Sequence, residues 1–319
     1  MEFFLYAGYI RHRLYFKEII ANNYIMNTLN PTVIFNSQAV LGESPLWSDH
    51  EGIMYWLDCL QPAIHCFNPQ TCSDKFIILD QIVTSIALYV PNILLVTVEE
   101  GYAFVNLKTG ILEQIANPYA NQSVIFNDGK CDRQGRFWSG TAAKDWQSPI
   151  GILYQLSADL TFKPMDRGFI LSNGIGFSPD NEYLYFSDSL AHTIYRYDFD
   201  LAAGTITNKQ SFISIPDSEG IPDGMTVDTE GFLWVAMWDG WAVNRYDTQG
   251  KKVDSVKLPV PRPTSVAFGD RDLSTLYITS ARMGLSDEQL QLSPLSGSLF
   301  ALKTLFQGLP EPHFKGDTK

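Results

Sequence analysis

A strand-forming segment recurs along this chain at nearly even intervals. Each copy joins aromatic or β-branched residues to a small or acidic one: MYWLD (54–58), ILLVT (93–97), RFWSG (136–140), LYFSD (184–188), LWVAM (233–237) and LYITS (276–280). Between the central residues Tyr55, Leu95, Trp138, Tyr185, Trp234 and Tyr277, the intervals are 40, 43, 47, 49 and 43 residues. Four-stranded propeller blades repeat at about 40–50 residues, whereas a two-sheet sandwich, the alternative for a strand-rich chain, gives no reason for this repeat. The sequence therefore predicts an all-β fold, a six-bladed β-propeller.

We expect residues 26–319 to form one domain, because no linker-like tract of Ser, Gly or Pro divides them. Residues 1–25 are aromatic and apolar, but a secretory signal peptide needs about 7–15 uninterrupted apolar residues. The interruptions here are Arg11, His12, Arg13, Lys17 and Glu18. Two interpretations of residues 1–25 stay open. One is an upstream extension, disordered or not native, with Met26 as the natural start, and the other is a short amphipathic helix that packs on the body or on a partner.

Composition and missing motifs exclude several classes of protein. A net charge of −12 without a Lys/Arg cluster argues against binding nucleic acid or an anionic membrane, and there is no apolar run of about 18 residues that would span a bilayer. Four cysteines without a C-x2-C pair argue against a disulfide scaffold and a thiolate zinc site. Zinc-protease, nucleophile-elbow, Rossmann and P-loop motifs are absent. We expect a cytoplasmic monomer or small homo-oligomer that acts on a small molecule.

Four segments place a carboxylate or an amide beside Gly or Ser at the same point of their repeats. Glu43, Asn127, Asn173 and Asp223 precede the central residues of their repeats by 12, 11, 12 and 11 residues. Equivalent positions in a ring of blades point toward a shared centre, so we expect these side chains to converge on the central channel. Such oxygen ligands suit Ca, Mg or Mn. Taken singly, each Asn-Gly or Asp-Gly pair is more typical of a simple turn.

Five motifs together resemble the SMP-30/gluconolactonase/regucalcin (LRE-like) family. They are LGESPLW (41–47), FNDGKCDRQGRFWSGT (126–141), SNGIGFSPDNEYLYFSDS (172–189), IPDGMTVDTEGFLWVA (221–236) and GLPEPHF (308–314). The match runs in order over roughly residues 33–315. The resemblance implies a six-bladed propeller, and many members hydrolyse aldonolactones with one divalent cation in the channel. Carried over by motif, it assigns Glu43, Asn173 and Asp223 as metal ligands and Asn127 to the substrate or to water on the metal.

One position departs from the family pattern. Members best known on sugar lactones often carry Arg two residues before the asparagine of NDGK, and here that residue is Ile125. Replacing a guanidinium by an apolar side chain removes polar recognition of substrate hydroxyls. Asp145 falls where such members have an acidic pocket residue. The resemblance therefore implies Ile125 and Asp145 as substrate-binding positions but leaves the preferred lactone open.

The leading hypothesis is a metal-dependent lactonase that hydrolyses a sugar-acid lactone to its hydroxy acid. Asp223 is the candidate general base, because a carboxylate shared with the metal lies next to bound water. The metal is one divalent cation, and Ca, Mg, Mn and Zn all stay open. The alternatives are a paraoxonase-like ester or organophosphate hydrolase and a non-catalytic calcium-binding propeller. Four tryptophans are open to two interpretations, as a pocket mouth or as core between blades: Trp47, Trp146, Trp238 and Trp241.

Overall fold

The computed structural model describes residues 30–99, 101–118 and 123–316. Within them, strands β1 to β24 form six antiparallel sheets of four strands each. In each sheet the strand nearest the central channel, which we call the inner strand, contacts the inner strands of the neighbouring sheets in sequence order. The last inner strand contacts the first, which closes a ring. The predicted six-bladed β-propeller is confirmed. Residues 1–25 lie outside the described residues, so the division of the chain at residue 26 stays a prediction.

The first three blades follow the chain directly. Blade 1 consists of β2 (Gly42–Ser48), β3 (Ile53–Asp58), β4 (Ala63–Asn68) and β5 (Ser73–Ile78). Blade 2 consists of β6 (Val83–Val90), β7 (Ile93–Val98), β8 (Gly101–Asn106) and β9 (Leu112–Ala116). Blade 3 consists of β10 (Val124–Cys131), β11 (Phe137–Ala143), β12 (Gly151–Leu156) and β13 (Phe162–Phe169).

The last three blades complete the ring. Blade 4 consists of β14 (Ser172–Phe177), β15 (Tyr183–Asp188), β16 (Thr193–Asp200) and β17 (Thr205–Ser214). Blade 5 consists of β18 (Ile221–Val227), β19 (Leu233–Trp238), β20 (Ala242–Tyr246) and β21 (Lys252–Lys257). Blade 6 takes β22 (Pro263–Gly269), β23 (Thr275–Ser280) and β24 (Leu299–Lys303) from the end of the chain and β1 (Thr32–Phe35) from its beginning. Short helical turns span Ser189–Ala191 and Asp217–Glu219, and helix α1 spans Asp287–Leu292.

The hydrophobic core lies between the blades. The central residues of the sequence repeat all fall on the second strand of a blade and are buried there. Their neighbours are apolar residues of the next or previous blade: Trp234 packs edge-on against Phe268, with ring centroids 5.8 Å apart. Of the four tryptophans left open, Trp47 belongs to this core and stacks on Tyr277. The alternation of blade and apolar layer thus explains why the repeat is rich in aromatic residues.

The two ends of the central channel differ. The inner strands begin at one end, where the predicted polar residues lie, and finish at the other. There the segment after β24 crosses the channel, where Leu309 and Pro312 face the ends of the inner strands. Lys130 binds Glu311 at 3.0 Å, and Phe314 is buried beneath blades 2 and 3. Among the described residues, no helix is long and apolar enough to cross a membrane.

Candidate metal and substrate site

The predicted polar residues lie at β-bulges of the inner strands. At each bulge two inner-strand residues oppose one on the second strand, with register shifts between Glu43 and Leu46, Phe126 and Gly129, Ser172 and Ile175, and Pro222 and Met225. A bulge bends its strand and re-aims the side chains beside it. Because the bulges occupy equivalent places in blades 1, 3, 4 and 5, they turn one polar side chain per blade toward the axis.

The glycines after two of these residues serve strand packing. A Cβ at Gly174 would lie 2.5 Å from the carbonyl oxygen of Asp223, and a Cβ at Gly224 would overlap the side chain of Ser265. Both glycines lie inside strands, β14 and β18. The Asn-Gly and Asp-Gly pairs are therefore not turns here, because glycine lets the inner strand of one blade approach that of the next.

A cavity of about 310 Å³ opens at this end of the channel. Its deep part, which we call the floor, consists of Glu43, Asn127, Asn173 and Asp223. Its outer part, which we call the wall, consists of apolar side chains from strand ends and the connections beside them: Leu41, Trp146, Leu171, Leu190, Ile221, Trp238 and Met283. A concave apolar site with a few convergent polar groups is the usual form of a small-molecule pocket.

Burial raises the pKa of both carboxylates in the floor. For Glu43 the loss of solvation is the largest cause, the negative charges of Asp223 and Asp128 add to it, and a hydrogen bond from the Ser44 N–H opposes it. For Asp223 the loss of solvation again comes first and the charge of Asp128 second, opposed by hydrogen bonds from the Asn173 side chain and the Gly224 N–H, and its pKa also lies well above the ordinary value. The floor is therefore a concentration of negative charge that its own hydrogen bonds only partly compensate.

Asp128 is a third carboxylate at the channel centre that the sequence-based site did not include. It follows Asn127 in the bulge of β10, and burial raises its pKa to about 6 despite the hydrogen bond it accepts from the Gly129 N–H at 2.7 Å. The signal in the sequence was the Asn-Asp-Gly run itself. A regular strand would place only one of the two neighbours on the axis, whereas a bulge brings both close to it.

Two predicted substrate-binding residues are not among those that line the cavity. Asp145 is exposed, and its carboxylate accepts hydrogen bonds from the Ser148 hydroxyl at 2.6 Å and from the N–H groups of Gln147 and Ser148 at 2.9 Å each. These bonds belong to a local turn, which holds the carboxylate away from the floor. Ile125 is half-buried in β10 and pairs with Ala142. Binding roles for both residues stay predictions.

The floor can be tested for its fit to a divalent cation. Asp223 is 5% exposed, and within the described ranges its Oδ1 has no hydrogen-bond partner. A buried acceptor without a donor is costly unless something else satisfies it. Two carboxylates and the Asn173 amide supply oxygen donors of the kind that hard cations prefer, and a positive charge would offset the repulsion that raises both pKa values. In the part of the chain that the structure describes, no three His, Cys, Asp or Glu side chains cluster at ligand spacing, so the amide is the necessary third donor of this set.

Asn127 is oriented for a different role. Its Nδ2 donates a hydrogen bond of 2.9 Å to the carbonyl oxygen of Ser172, the residue before Asn173. This bond fixes the amide plane and links the floor residues of blades 3 and 4. Among the described residues the Ser172 carbonyl is the partner recorded for this side chain, so the second N–H of the amide and its oxygen can bind another molecule.

Comparison with known proteins agrees with this architecture. The family model for the SMP-30/gluconolactonase/LRE-like region matches residues 41–282. A 6-deoxy-6-sulfogluconolactonase from Pseudomonas putida is 36% identical over 286 residues, which cover 89% of this chain and 98% of that protein. The pentonolactonase XacC of Haloferax volcanii is 31% identical over 294 residues, covering 90% and 98%. The crystal structure of regucalcin, a calcium-binding protein from Agrobacterium tumefaciens, superposes with a TM-score of 0.86 at 27% identity and covers 90% of this chain and 97% of that one. The motifs, the six blades and these matches agree, and the chain belongs to the SMP-30/gluconolactonase/LRE-like family.

Proposed function

We propose that this protein is a metal-dependent lactonase, which hydrolyses a cyclic carboxylic ester to the corresponding hydroxy acid. The observation that carries the proposal is the convergence of two buried carboxylates and two amides on the floor of one cavity. The names of two relatives, a sulfogluconolactonase and a pentonolactonase, support a lactone of a sugar acid as the substrate class to test first.

In this proposal Glu43, Asn173 and Asp223 hold one divalent cation. When bound there, such a cation supplies a Lewis acid for an ester carbonyl. The name of the regucalcin relative, a calcium-binding protein, supports calcium as one candidate, and the donor set accepts Mg, Mn and Zn as well.

The chain's own residues account for the proton. The carboxylate of Asp223, which would lie beside the cation, is the acceptor for the proton of an attacking water. The water oxygen bonds to the carbonyl carbon, the bond from that carbon to the ring oxygen breaks, and the proton passes from Asp223 to the leaving ring oxygen. Asn127, held by its bond to the Ser172 carbonyl, donates its other N–H to the oxygen on which charge develops. The net reaction adds one water to the lactone and leaves Asp223 as it began.

The test is proton release in weak buffer from glucono-, galactono-, xylono- and arabinono-lactone and a simple alkyl lactone. EDTA-stripped protein is compared with stripped protein given Ca, Mg, Mn or Zn, against the spontaneous rate. We expect hydrolysis above the spontaneous rate that disappears on stripping and returns with a cation. No acceleration by protein that is folded and binds the cation in calorimetry would contradict the proposal and favour a calcium-binding role without catalysis.

A second candidate is an aryl-ester hydrolase, which the apolar wall favours. Trp146, Trp238 and Met283 offer contacts to a phenyl ring, and such a ring does not need to be part of a cyclic ester. Phenyl acetate, assayed beside the lactones with the same cations, separates the two functions. Faster turnover of phenyl acetate than of every lactone would favour the ester hydrolase.

A further inference from the structure

The cavity has two chemically different parts. The floor carries all four of the carboxylate and amide side chains that line the cavity, and the wall carries Leu190, Trp146, Trp238 and Met283. A lactone whose carbonyl is at the floor must therefore direct its ring substituents at the wall. The wall thus determines which substituents are accepted.

Two polar side chains beside the wall form hydrogen bonds within the protein. The hydroxyl of Ser189, which also lines the cavity, donates to the Pro222 carbonyl at 2.7 Å. The Arg262 guanidinium lies over the Trp238 ring, 4.7 Å from its centroid. Its Nε donates to Asp239 at 2.6 Å, and its Nη1 donates to the Met283 carbonyl. Arg262 therefore contacts two wall residues, Trp238 and Met283, and directs three of its five N–H groups at Asp239 and the Met283 carbonyl.

Trp146 is held at the cavity mouth at a cost to its backbone. Its φ is 55°, in the left-handed region that bulky side chains rarely adopt, and its N–H donates to the Ala143 carbonyl at 3.0 Å. Trp146 is 46% exposed although it lines the cavity. An exposed apolar face beside a buried polar floor gains most when a ligand covers it.

We infer that the preferred substrate is a lactone with a short apolar substituent on the ring, an alkyl chain or a deoxygenated side chain, rather than a fully hydroxylated aldonolactone. This inference rests on the proposed lactonase function and deepens it. Each hydroxyl of a polyol substituent that enters the wall loses its hydrogen bonds to water, and among the wall side chains only the indole N–H groups of Trp146 and Trp238 can replace any of them. Each methylene in the same place removes apolar surface from water. At about 310 Å³ the cavity lies near the lower limit for ligand pockets, so the substituent is short.

The first experiment compares lactones that share a five-membered ring and differ in the groups attached to it. γ-Butyrolactone, γ-valerolactone, γ-hexalactone and γ-heptalactone are assayed beside xylono- and galactono-γ-lactone, with each of the four cations. We expect kcat/KM to rise by about fourfold for each added methylene until the wall is filled. We expect the polyol lactones to be at least about tenfold slower than γ-hexalactone. Equal or faster hydrolysis of the polyol lactones would overturn the inference and leave the lactonase proposal standing.

A matched pair of variants tests whether the wall causes the preference for alkyl substituents. Trp146→Ala should lower kcat/KM for γ-heptalactone by about tenfold more than it lowers kcat/KM for γ-butyrolactone, which has no substituent to contact the wall. Trp241→Ala is the control, because Trp241 is 44% exposed, has a φ of 56° and lies outside the cavity lining. A loss of kcat/KM that is equal for both lactones, or equal in both variants, would show that the wall does not discriminate between ring substituents.

Equilibrium binding separates failure of this inference from failure of the proposed function. The variant Asp223→Asn lacks the proposed base, so that alkyl and polyol lactones can be titrated into it without turnover and followed by tryptophan fluorescence. Tighter binding of γ-heptalactone than of galactono-γ-lactone, lost on adding Trp146→Ala, supports the apolar wall even if no lactone is hydrolysed by the wild type. Tighter binding of the polyol, or equal binding of both, contradicts it whatever the rates are.

Discussion

Asp128 makes the metal-free protein sensitive to pH. Burial raises its pKa from 3.8 to about 6, so the folded state binds its proton more tightly than the unfolded state does. The protonated carboxyl group contributes fully to the free energy of unfolding below about pH 4. This contribution, at most about 3 kcal/mol, is lost as the pH rises through 6. We expect Asp128→Asn, unfolded with urea in EDTA, to lose less stability between pH 4 and pH 7 than the wild type.

The control for this prediction is Asp200→Asn. Asp200 also accepts a backbone hydrogen bond through Oδ1, from Ala203 at 2.9 Å, but it is exposed. It should keep the wild-type dependence on pH. If Asp128→Asn also keeps it, the ionised carboxylate does not strain the metal-free fold.

Asp223 is the residue on which the proposed reaction depends. Asp223→Asn keeps the size of the side chain but removes the proton acceptor and one negative donor, so kcat/KM should fall by about 10²-fold or more. The metal-free variant should unfold at the same or a higher urea concentration than the wild type, because a buried charge beside Asp128 is gone. Retention of more than about a tenth of the activity, a loss under about 1.4 kcal/mol, would remove Asp223 from the role of base.

At the scale of single residues, the sequence predicted that the floor side chains converge, but it did not predict the turn that directs Asp145 away from them. Glu43, Asn173 and Asp223 could be found because a repeating fold converts equal offsets into equal positions. Asp145 has no equivalent in another blade, and its hydrogen bonds to Gln147 and Ser148 decide its direction locally. The lining tryptophans, Trp146 and Trp238, lie in or next to connections whose paths depend on neighbouring blades.

The strands that carry the floor are positioned by a device repeated in two blades. At the end of β15, Asp188 accepts hydrogen bonds of 3.0 Å from the N–H groups of Ile170 and Leu171, just before Asn173. In blade 1, Asp58 likewise accepts hydrogen bonds from the N–H groups of Val40 and Leu41, just before Glu43. These carboxylates satisfy backbone donors that the inner strand would otherwise leave unpaired.

We therefore expect Asp188→Ala to lower the free energy of unfolding by about 2 kcal/mol. It should also weaken cation binding, because the backbone just before Asn173 loses the hydrogen bonds that position it. Urea unfolding and calorimetric titration with Ca or Mn measure the two effects. Asp180→Ala, in the exposed hairpin at the other end of blade 4, should change the stability by less than about 1 kcal/mol and leave cation binding unaltered. Unchanged cation binding in Asp188→Ala would limit its role to stability.

At the scale of elements, the sequence located the second strands and not the bulges. Their aromatic residues are buried between blades and so appear as a pattern in the chain. A bulge exists only in relation to the register of the partner strand. The Asn-Gly pair at residues 173 and 174 therefore resembled a turn until the pairing of β14 with β15 was known.

The ring is closed by a strand from the other end of the chain. In blade 6, β1 pairs with β24, with Thr32 opposite Ala301 and Val33 opposite Phe300. A chain that starts at residue 37 lacks β1 and exposes the edge of β24 together with apolar surface that Val33, Ile34 and Phe35 cover. We expect it to lose about 3 kcal/mol or more in urea unfolding and to self-associate in gel filtration through the open edge.

The comparison is with a chain that starts at Asn30, which keeps β1. Equal stability of the two chains would mean that closure by β1 contributes little to the ring. The six repeats predicted six blades, but they did not reveal this closure, because β1 is short and lies before the first repeat.

Closure across the whole chain also sets the order of events during synthesis. The hydrogen bond from the Thr32 hydroxyl to the Ala301 carbonyl joins residues 269 positions apart. At about 5–20 residues per second, β1 emerges from the ribosome roughly 15 to 50 seconds before its partner strand exists. Throughout that interval an apolar strand with unpaired backbone groups is exposed to other nascent chains. The yield of active protein in a cell should therefore depend on chaperones that cover the first strand, and on translation speed, even where the finished ring is very stable.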